Sequence, residues 1–369
     1  MLRLFDKILL TSLIVLSLNI RAQDPVFAQY YLNQNYLNPA FAGFTNDLTG
    51  SINTRAQYLR VPGLLTSTTA SFNISCEEET RLGIGGILYH HVEGEGFLHT
   101  LNAAGQVSAN FPFKFKWGSR ARMNKGLVSA GIQAGLGQKY LNWNRLTFSD
   151  QYSPYLNGIQ NPSNIGQQQA SSNIFLDAGA GIRASIEFGP GKRPQFLSMG
   201  AAAFHLNRPA QTFLESRIPL EPRFSFFTFY YLGNVRKGRT KDLRYWTIGA
   251  LADYQQGLQS HTLSLYKDAN EYLTIGVSVR RQEFIYLDRN IDAVIPHVLL
   301  NFPDIRGDDF TIGISYEWTV STLGEEKTFG SLEFGLTWRF EGTNMCNSRR
   351  KLCKTKGFDM GHDMPNVYF

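Results

Sequence analysis

The fold is decided by two neighbouring segments, which read FTIGISYEW over residues 310–318 and SLEFGLTWRF over residues 331–340. In both segments, large apolar side chains alternate with Gly, Ser, Thr or a charged residue. Successive side chains of a β-strand point to opposite faces of a sheet, so each segment is predicted to be a strand with one apolar face. The same alternation recurs at 127–137, 246–254 and 273–280.

The composition of the two faces favours a membrane barrel over a soluble β-sandwich, which is the alternative. A sandwich turns Lys, Glu and Thr towards water, whereas the polar faces here are rich in Gly, Ser and Thr. The apolar faces carry aromatic residues at their ends, such as Trp246 and Tyr254, and such residues mark the two membrane interfaces of a barrel. Beyond the amino terminus no stretch approaches about 18 consecutive apolar residues, so a closed barrel is the way to pair every backbone polar group in lipid.

The alternating segments between residues 48 and 340 predict an all-β fold, a transmembrane antiparallel β-barrel of about 14 strands. An even number of strands places both termini on one side of the membrane, which we expect to be the periplasm. On this assignment 141–170 is an outward loop, and 112–125 is an unusually long inward turn. The alternation slips at Gly85 and Gly86, which predicts a β-bulge in the third strand.

The overall composition excludes several other classes of protein. The 369 residues include 36 Lys and Arg against 30 Asp and Glu, and the resulting charge of +6 comes without a long basic run. We therefore expect no nucleic-acid partner. Charged residues make up 18% and aromatic residues 13% of the chain, which argues against a disordered polyelectrolyte. Three cysteines are too few for a disulfide-dense scaffold.

Residues 1–22 are predicted to be a secretory signal peptide. Two basic residues precede an apolar stretch from Ile8 to Ile20, which is shorter than the roughly 20 residues of a spanning helix. Ala22 is a small residue at the expected cleavage position. An uncleaved membrane anchor is the alternative interpretation.

Residues 23–47 precede the first predicted strand and are too aromatic for a free tail. Asn38-Pro39 and Gly43 are turn signals within this segment. We expect the segment to fold back into the end of the barrel as a plug. The residues predicted to form it are Phe27, Tyr30, Tyr31, Asn38 and Pro39.

Three groups of basic residues are predicted at the periplasmic side of the barrel. They are either solvated turns or a surface that docks an acidic partner. The first two groups lie in the predicted turns 112–125 and 234–240, and the third in the tail 341–369 that follows the last strand. The proposed docking residues are Lys114, Lys116, Arg120, Arg122 and Lys125; Arg236, Lys237 and Arg239; and Arg349, Arg350 and Lys351.

The sequence predicts no catalytic, cofactor-binding or metal-binding residues. His90 and His91 are adjacent, so on a strand they point to opposite faces and cannot bind one metal ion together. No G-x-S-x-G nucleophile elbow is present. In the tail, Cys346 and Cys353 are close enough in sequence to form a disulfide, which an oxidising periplasm favours, and the spacing leaves open whether they pair.

The amino-terminal segment also carries a family resemblance. From Gln23 to Gly43 the chain reads QDPVFAQYYLNQNYLNPAFAG, which resembles the amino terminus of the PorP/SprF family. Further family-like segments are LGIGGILYHHVEGEG at 82–96, FLDAGAGIRA at 175–184 and FHLNRPAQTFL at 204–214. The resemblance extends over nearly the whole predicted mature chain.

The resemblance implies an outer-membrane protein of the type IX secretion and gliding machinery of Bacteroidetes. Its implied partners are outer-membrane lipids, the type IX translocon, periplasmic ring proteins and secreted adhesins, and it implies no catalytic residues and no cofactor. Two alternatives are a channel for small or hydrophobic solutes and a hydrolase whose site is assembled from distant strands. A channel could be constricted by the charged residues predicted to face inward, namely Arg55, Asp253, Arg280, Glu317, Glu333 and Arg339.

Overall fold

The fold is seen in a computed structural model. The structure describes residues 24–44, 47–63, 65–75, 82–116, 123–153, 158–159, 171–188, 193–213, 216–236, 242–284, 291–305, 308–321 and 324–340. The predicted signal peptide 1–22 and the tail 341–369, with Cys346 and Cys353, lie outside these residues.

Fourteen antiparallel strands form a closed barrel. They are β1 (Leu48–Gln57), β2 (Thr66–Ser75), β3 (Leu82–Glu93), β4 (Leu98–Lys116), β5 (Met123–Leu141), β8 (Phe175–Phe188), β9 (Gln195–Phe204), β12 (Arg223–Arg236), β13 (Asp242–Gln255), β14 (Leu258–Asp268), β15 (Leu273–Phe284), β16 (Ala293–Ile305), β17 (Asp308–Thr319) and β18 (Ser331–Phe340). The ring closes where β1 pairs with β18, from Leu48↔Phe340 to Gln57↔Ser331. The predicted strand number and the antiparallel order are therefore confirmed.

Smaller elements lie outside this ring. Two short strand pairs are β6 (Tyr152–Ser153) with β7 (Gly158–Ile159), and β10 (Ala210–Phe213) with β11 (Ser216–Pro219). The helices are Gln34–Leu37 and Glu325–Thr328, with 3-10 turns at Pro39–Phe41, Trp143–Arg145 and Ser149–Gln151. None of the helices in the described part of the chain is long and apolar enough to cross a membrane.

The two ends of the barrel are named here by the chain segments that they carry. The terminal rim is the end where β1 begins at Leu48 and β18 ends at Phe340. The loop rim is the opposite end, where β9 ends at Phe204 and β12 begins at Arg223. Because successive strands run in opposite directions, the ends of β4, β12 and β18 all lie at the terminal rim.

The alternating side chains of each strand face the lumen and the outside of the barrel in turn. On β17, Ile314 and Trp318 are exposed on the outer face, whereas Ser315 and Glu317 are buried in the lumen. Many other outward positions are also large and apolar, for example Ile132 and Leu263. An apolar outer band on a closed antiparallel ring is the arrangement of a membrane-spanning barrel.

The turn between β13 and β14 illustrates how short connections keep the strand twist. Gln256 and Gly257 link Gln255 directly to Leu258, and both have positive φ angles, of 51° and 85°. A two-residue turn with two positive φ angles matches the right-handed twist of the strands that it joins. Glycine at the second position adopts this conformation without steric cost.

Two sequence predictions about local structure are wrong. β3 pairs with β2 and with β4 without any shift of register, so there is no bulge at Gly85 and Gly86. Gly86 instead leaves room for the outward ring of Phe72, and Gly85 leaves room for the inward side chain of Asn73. The apolar alternation is interrupted because each glycine accommodates a neighbouring side chain, one on each face.

The predicted inward turn 112–125 is also wrong. β4 continues to Lys116 and β5 begins at Met123, so most of this stretch belongs to a two-stranded extension of the sheet. Within the extension, Pro112 pairs with Leu127 inside the β4–β5 ladder. Proline is tolerated in a ladder where its missing N–H faces an open edge.

We expect a charge on the outer face to destabilise the barrel in a lipid bilayer. Ile314→Arg should lower the free energy of unfolding in lipid vesicles by about 2–4 kcal/mol, the usual cost of a lipid-facing arginine near the bilayer midplane. Ile314→Leu is the matched control. Denaturant unfolding followed by tryptophan fluorescence measures both variants, and equal stabilities would contradict the assignment of this face to lipid.

Candidate functional site

Residues 24–44 fill the lumen of the barrel as a plug. The side chains of the predicted plug residues Phe27, Tyr30, Tyr31, Asn38 and Pro39 are all buried there. Aromatic rings from both the plug and the wall fill the centre of the barrel, including Phe41 and Phe44 of the plug and Phe227 and Tyr266 of the wall.

The plug runs through the lumen from one rim to the other. Asp24 lies at the loop rim, where its backbone N–H donates a hydrogen bond to Oε1 of Gln255 over 2.8 Å. Ala42 lies beside the first residues of β3, near the terminal rim. The strand ends Leu48 and Phe340 share one rim as predicted, but the plug carries Asp24 to the opposite rim.

Glu333 of β18 fixes the plug backbone. Its two carboxylate oxygens accept hydrogen bonds from the backbone N–H groups of Ala28 over 2.7 Å and of Gln29 over 2.8 Å. The side-chain amide of Gln29 donates in return to the carbonyl oxygen of Glu333 over 2.8 Å and to Oγ of Ser315 over 3.1 Å. A buried carboxylate is thus satisfied by plug backbone, through hydrogen bonds of the stronger, charge-assisted kind.

A network of side-chain amides holds the short helix of the plug. Nδ2 of Asn35 donates to Oδ1 of Asn73 over 2.8 Å and to Oε1 of Gln106 over 2.6 Å. Asn73 donates back to Oδ1 of Asn35 over 2.7 Å. Gln106 donates to the carbonyl oxygen of Asn35 and to Oε1 of Gln133. These groups are buried, so each bond also avoids the cost of an unpaired amide.

Asn38 joins the plug to the middle strands of the wall. Its Nδ2 donates to the backbone carbonyls of Ile182 on β8 and Ala201 on β9, both over 3.0 Å. Its Oδ1 accepts from the backbone N–H of Ala40 over 2.8 Å and caps the 3-10 turn.

Two wall glycines allow this close approach. A Cβ atom on Gly131 of β5 would lie 2.5 Å from the carbonyl carbon of Pro39, and one on Gly181 of β8 would overlap the side chain of Asn38. The glycine-rich inner face, which distinguished this sequence from that of a soluble β-sandwich, is therefore the surface on which the plug packs.

Aromatic rings complete the contact between the plug and the wall. Tyr30 stacks on Phe229 with a centroid distance of 5.4 Å, and Tyr31 meets Tyr266 edge-to-face at 4.8 Å. Arg183 lies over the ring of Phe44 at 3.7 Å, which is a cation–π geometry. Such contacts add specificity to the burial of the rings.

An ionic cluster holds the amino-terminal end of the plug at the loop rim. Oδ2 of Asp24 lies 2.8 Å from Nε2 of His205 and 3.3 Å from Nη1 of Arg223. Nδ1 of His205 lies 2.8 Å from Oδ1 of Asp177. Burial alone would lower the pKa of His205, but the carboxylates of Asp24 and Asp177 raise it to about 9. Burial would raise the pKa of Asp24, yet His205 and Arg223 lower it well below its usual value.

The charged residues predicted to face inward do so, and three of them pair with one another. Arg55 lies 2.7 Å from Glu317, which also contacts Arg280, and Arg280 lies 3.2 Å from Asp292. The residues of this inward set are Arg55, Asp253, Arg280, Glu317, Glu333 and Arg339, of which Arg339 pairs with Asp47 over 2.8 Å. Paired charges of this kind brace the wall, and they differ from the free ring of charges that would line a selective pore.

Two cavities between plug and wall measure about 30 and 20 Å³. The first lies beside Leu32 and Phe44, and the second beside Phe27 and Asp253. Sites for small organic ligands usually measure roughly 300–1,000 Å³, so neither cavity admits such a ligand.

The described residues of the predicted basic groups lie near strand ends that share one rim. Lys114 and Lys116 lie near the end of β4 and Lys125 near the start of β5, while Arg236 ends β12 and the tail follows Phe340. All of these strand ends lie at the terminal rim. The other predicted docking residues lie outside the described part of the chain: Arg120, Arg122, Lys237, Arg239, Arg349, Arg350 and Lys351.

Sequence reasoning missed the cluster of Asp24, His205 and Arg223. These residues come from three distant segments, and no local pattern joins them. One signal was available: a histidine directly after an aromatic strand end, followed by Asn-Arg-Pro, is an unusual set of polar residues for a barrel loop.

Comparison with known proteins gives one family. The sequence model of the family described as type IX secretion system membrane protein PorP/SprF matches residues 19–338. No curated protein matches the chain.

Several solved structures share the barrel architecture at low similarity. The toluene transporter TodX of Pseudomonas putida is 10% identical with a TM-score of 0.35, and the match covers 87% of this chain and 95% of that one. The monoaromatic hydrocarbon channel CymD is 9% identical with a TM-score of 0.37, over 87% and 94% of the two chains. CdiB from Acinetobacter baumannii is 9% identical with a TM-score of 0.39, over 80% and 60%.

A larger side chain in place of a wall glycine that contacts the plug should displace the plug. Gly131→Val places a branched side chain against Pro39, and overpacking of this kind costs about 1–3 kcal/mol. Gly105→Val is the matched control, because a Cβ atom on Gly105 meets nothing within 4 Å. We expect faster proteolysis of residues 24–44 and lower unfolding stability for the first variant alone; equal behaviour of the two variants would argue against a tightly seated plug.

The His205 cluster should make the barrel less stable at high pH. The pKa of His205 rises from 6.5 to about 9 on folding. The contribution of His205 to the free energy of unfolding is therefore complete below about pH 6.5 and is lost as the pH rises through 9. The full contribution is about 3 kcal/mol. Denaturant unfolding is measured at about pH 6 and about pH 10. Between these pH values the native protein should lose more free energy of unfolding than His205→Gln, in which the other titrating groups are unchanged. Parallel losses would contradict the ionic role of His205.

Proposed function

The chain belongs to the PorP/SprF family of type IX secretion system membrane proteins, and we propose that it is a non-enzymatic outer-membrane scaffold of that system. In this proposal it supports the export or surface anchoring of secreted adhesins and docks periplasmic ring components. The observation that carries the proposal is the plug. Because the plug fills the lumen, only the outer surface of the barrel and its two rims are left to interact with other molecules.

A channel for small or hydrophobic solutes is the main alternative. Such a channel needs a continuous open lumen, whereas residues 24–44 are held by hydrogen bonds from the loop rim to the terminal rim. The inward charges that could have lined a pore are paired with other charges, bonded to the plug or, for Asp253, bonded to Ser225 of the wall. These contacts favour the scaffold over the channel.

A hydrolase is the third class considered. Ser278 and His297 approach within 2.7 Å, which is the distance of a nucleophile and its base. Both side chains are buried, and Tyr31 of the plug covers the histidine, with its hydroxyl 3.3 Å from Nδ1. A substrate has no access to such a pair while the plug is seated, so we interpret it as part of the wall packing.

We propose that the terminal rim faces the periplasm and carries the docking surface. The described members of the predicted basic groups support this, because Lys114, Lys116, Lys125 and Arg236 belong to strand ends that share this rim. Clustered positive charge steers an acidic partner and raises its association rate. Outer-membrane barrels with an even number of strands usually keep their short turns on the periplasmic side.

The direct test is a pull-down of the tagged protein from its native outer membrane in mild detergent, with mass spectrometry of the retained proteins. Recovery of translocon, ring or adhesin components is the expected result. Recovery of the barrel alone, together with ion conductance in planar bilayers, would overturn the scaffold and favour the channel.

Removal of the tail should separate docking from barrel assembly. A chain ending at residue 340 should insert normally, because β18 is complete at Phe340, but it should retain less of the periplasmic components. The matched control keeps the tail length and replaces Arg349, Arg350 and Lys351 with glutamine, and we expect it to lose most of the same binding. Unchanged co-purification for both variants would refute the role assigned to the tail.

A further inference from the structure

The β4–β5 hairpin extends past its neighbour at the terminal rim. β4 pairs with β3 only as far as Ala109↔Leu82, but it pairs with β5 on its other side as far as Lys116↔Met123. Among the described residues, nothing pairs with the β3-facing edge of residues 110–116. An open strand edge is a template for another strand, because its N–H and C=O groups lack ladder partners.

The position of Pro112 indicates which groups face this open edge. Proline cannot donate to a ladder, so within a paired strand its missing N–H faces the open side. In an antiparallel strand the backbone groups of every second residue point to the same side. Lys114 and Lys116, at two and four residues from Pro112, therefore present their N–H and C=O groups to the open edge.

The two faces of the extension differ in chemistry. Phe111 and Phe113 point outward and are 51% and 38% exposed, as expected for aromatic residues at a membrane interface. Lys114 and Lys116 lie on the opposite face and are exposed. Neither ammonium group has a hydrogen-bond or ion-pair partner among the described residues.

Charge disfavours two of the strands that could pair with this edge. A second copy of the chain in an antiparallel pair would bring its own Lys114 and Lys116 against these two, and like charges across a pair of strands are destabilising. The tail 341–369 is basic too, with Arg349, Arg350 and Lys351 near its centre. Lysine and proline on an edge discourage such pairings while leaving the edge open to an acidic strand.

We propose that residues 110–116 of β4 receive an extended segment of another protein by β-strand addition. The segment alternates acidic residues, which face Lys114 and Lys116, with apolar residues, which join Phe111 and Phe113. Backbone hydrogen bonds would supply affinity and the alternating side chains specificity. This inference rests on the proposed docking at the terminal rim, and it specifies the mode of recognition there.

The test uses the full-length protein in its native outer membrane with a photo-crosslinking amino acid at position 114 or 116. Crosslinked peptides are identified by mass spectrometry. Position 107 serves as the control, because Val107 is exposed on the outer face where β4 still pairs with β3. The expected result is a crosslink from 114 and 116 to one acidic segment of a partner, at positions two residues apart. Crosslinks only to lipid, to a second copy or to residues 341–369 would overturn the proposal.

Charge variants give the second measurement. Lys114→Glu with Lys116→Glu should lower the yield of a crosslink from position 113 to that segment about tenfold, whereas Lys114→Arg with Lys116→Arg should preserve it. Heat-modifiable migration on a denaturing gel checks that each variant has formed its barrel. Equal yields for the two double variants would also overturn the proposal.

The outcome separates this inference from the proposed function. If translocon or ring components are retained by the native protein but no edge crosslink forms, only strand addition fails. If the native protein retains none of these components, the proposed scaffold itself fails.

Discussion

The inward carboxylate of Glu333 shows the constraint on which the rest of the structure depends. A strand that crosses lipid can turn polar groups only towards the lumen, and a buried charge there must be satisfied by other protein groups. Glu333 is satisfied by two backbone N–H groups of the plug, and Asn73 and Gln106 by the side chain of Asn35. Plug and wall therefore complete each other, and neither is a stable surface alone.

The same constraint explains the unusual inner composition of the strands. An open pore would be lined with long polar side chains in contact with water, whereas here the wall has glycines where the plug comes closest to the sheet. Gly131 and Gly181 let the backbone of the plug approach the sheet, and Tyr30 and Tyr31 then fill the remaining width. Small inward residues and an aromatic amino-terminal segment are two halves of one packing arrangement.

The fold could be predicted because it depends on short-range periodicity. Alternation over residues 310–318 and 331–340 fixed which side chains face lipid, and both strands have that orientation. The site could be predicted only in part. Aromatic content identified the plug, but the partners of Asp24 come from segments 181 to 231 residues away. The extension of β4 was missed because Pro112 and the lysines resemble a turn, and an edge position is what permits them in a strand.

The two rims differ in a way that bears on where a partner binds. At the loop rim the charges of Asp24, His205 and Arg223 neutralise one another and hold the plug. At the terminal rim, Lys114 and Lys116 have no such partners among the described residues, and an open backbone edge lies beside them. A molecule whose lumen is filled can act on other proteins only through its surfaces, and of the two rims the terminal one has both charge and hydrogen-bonding capacity to offer.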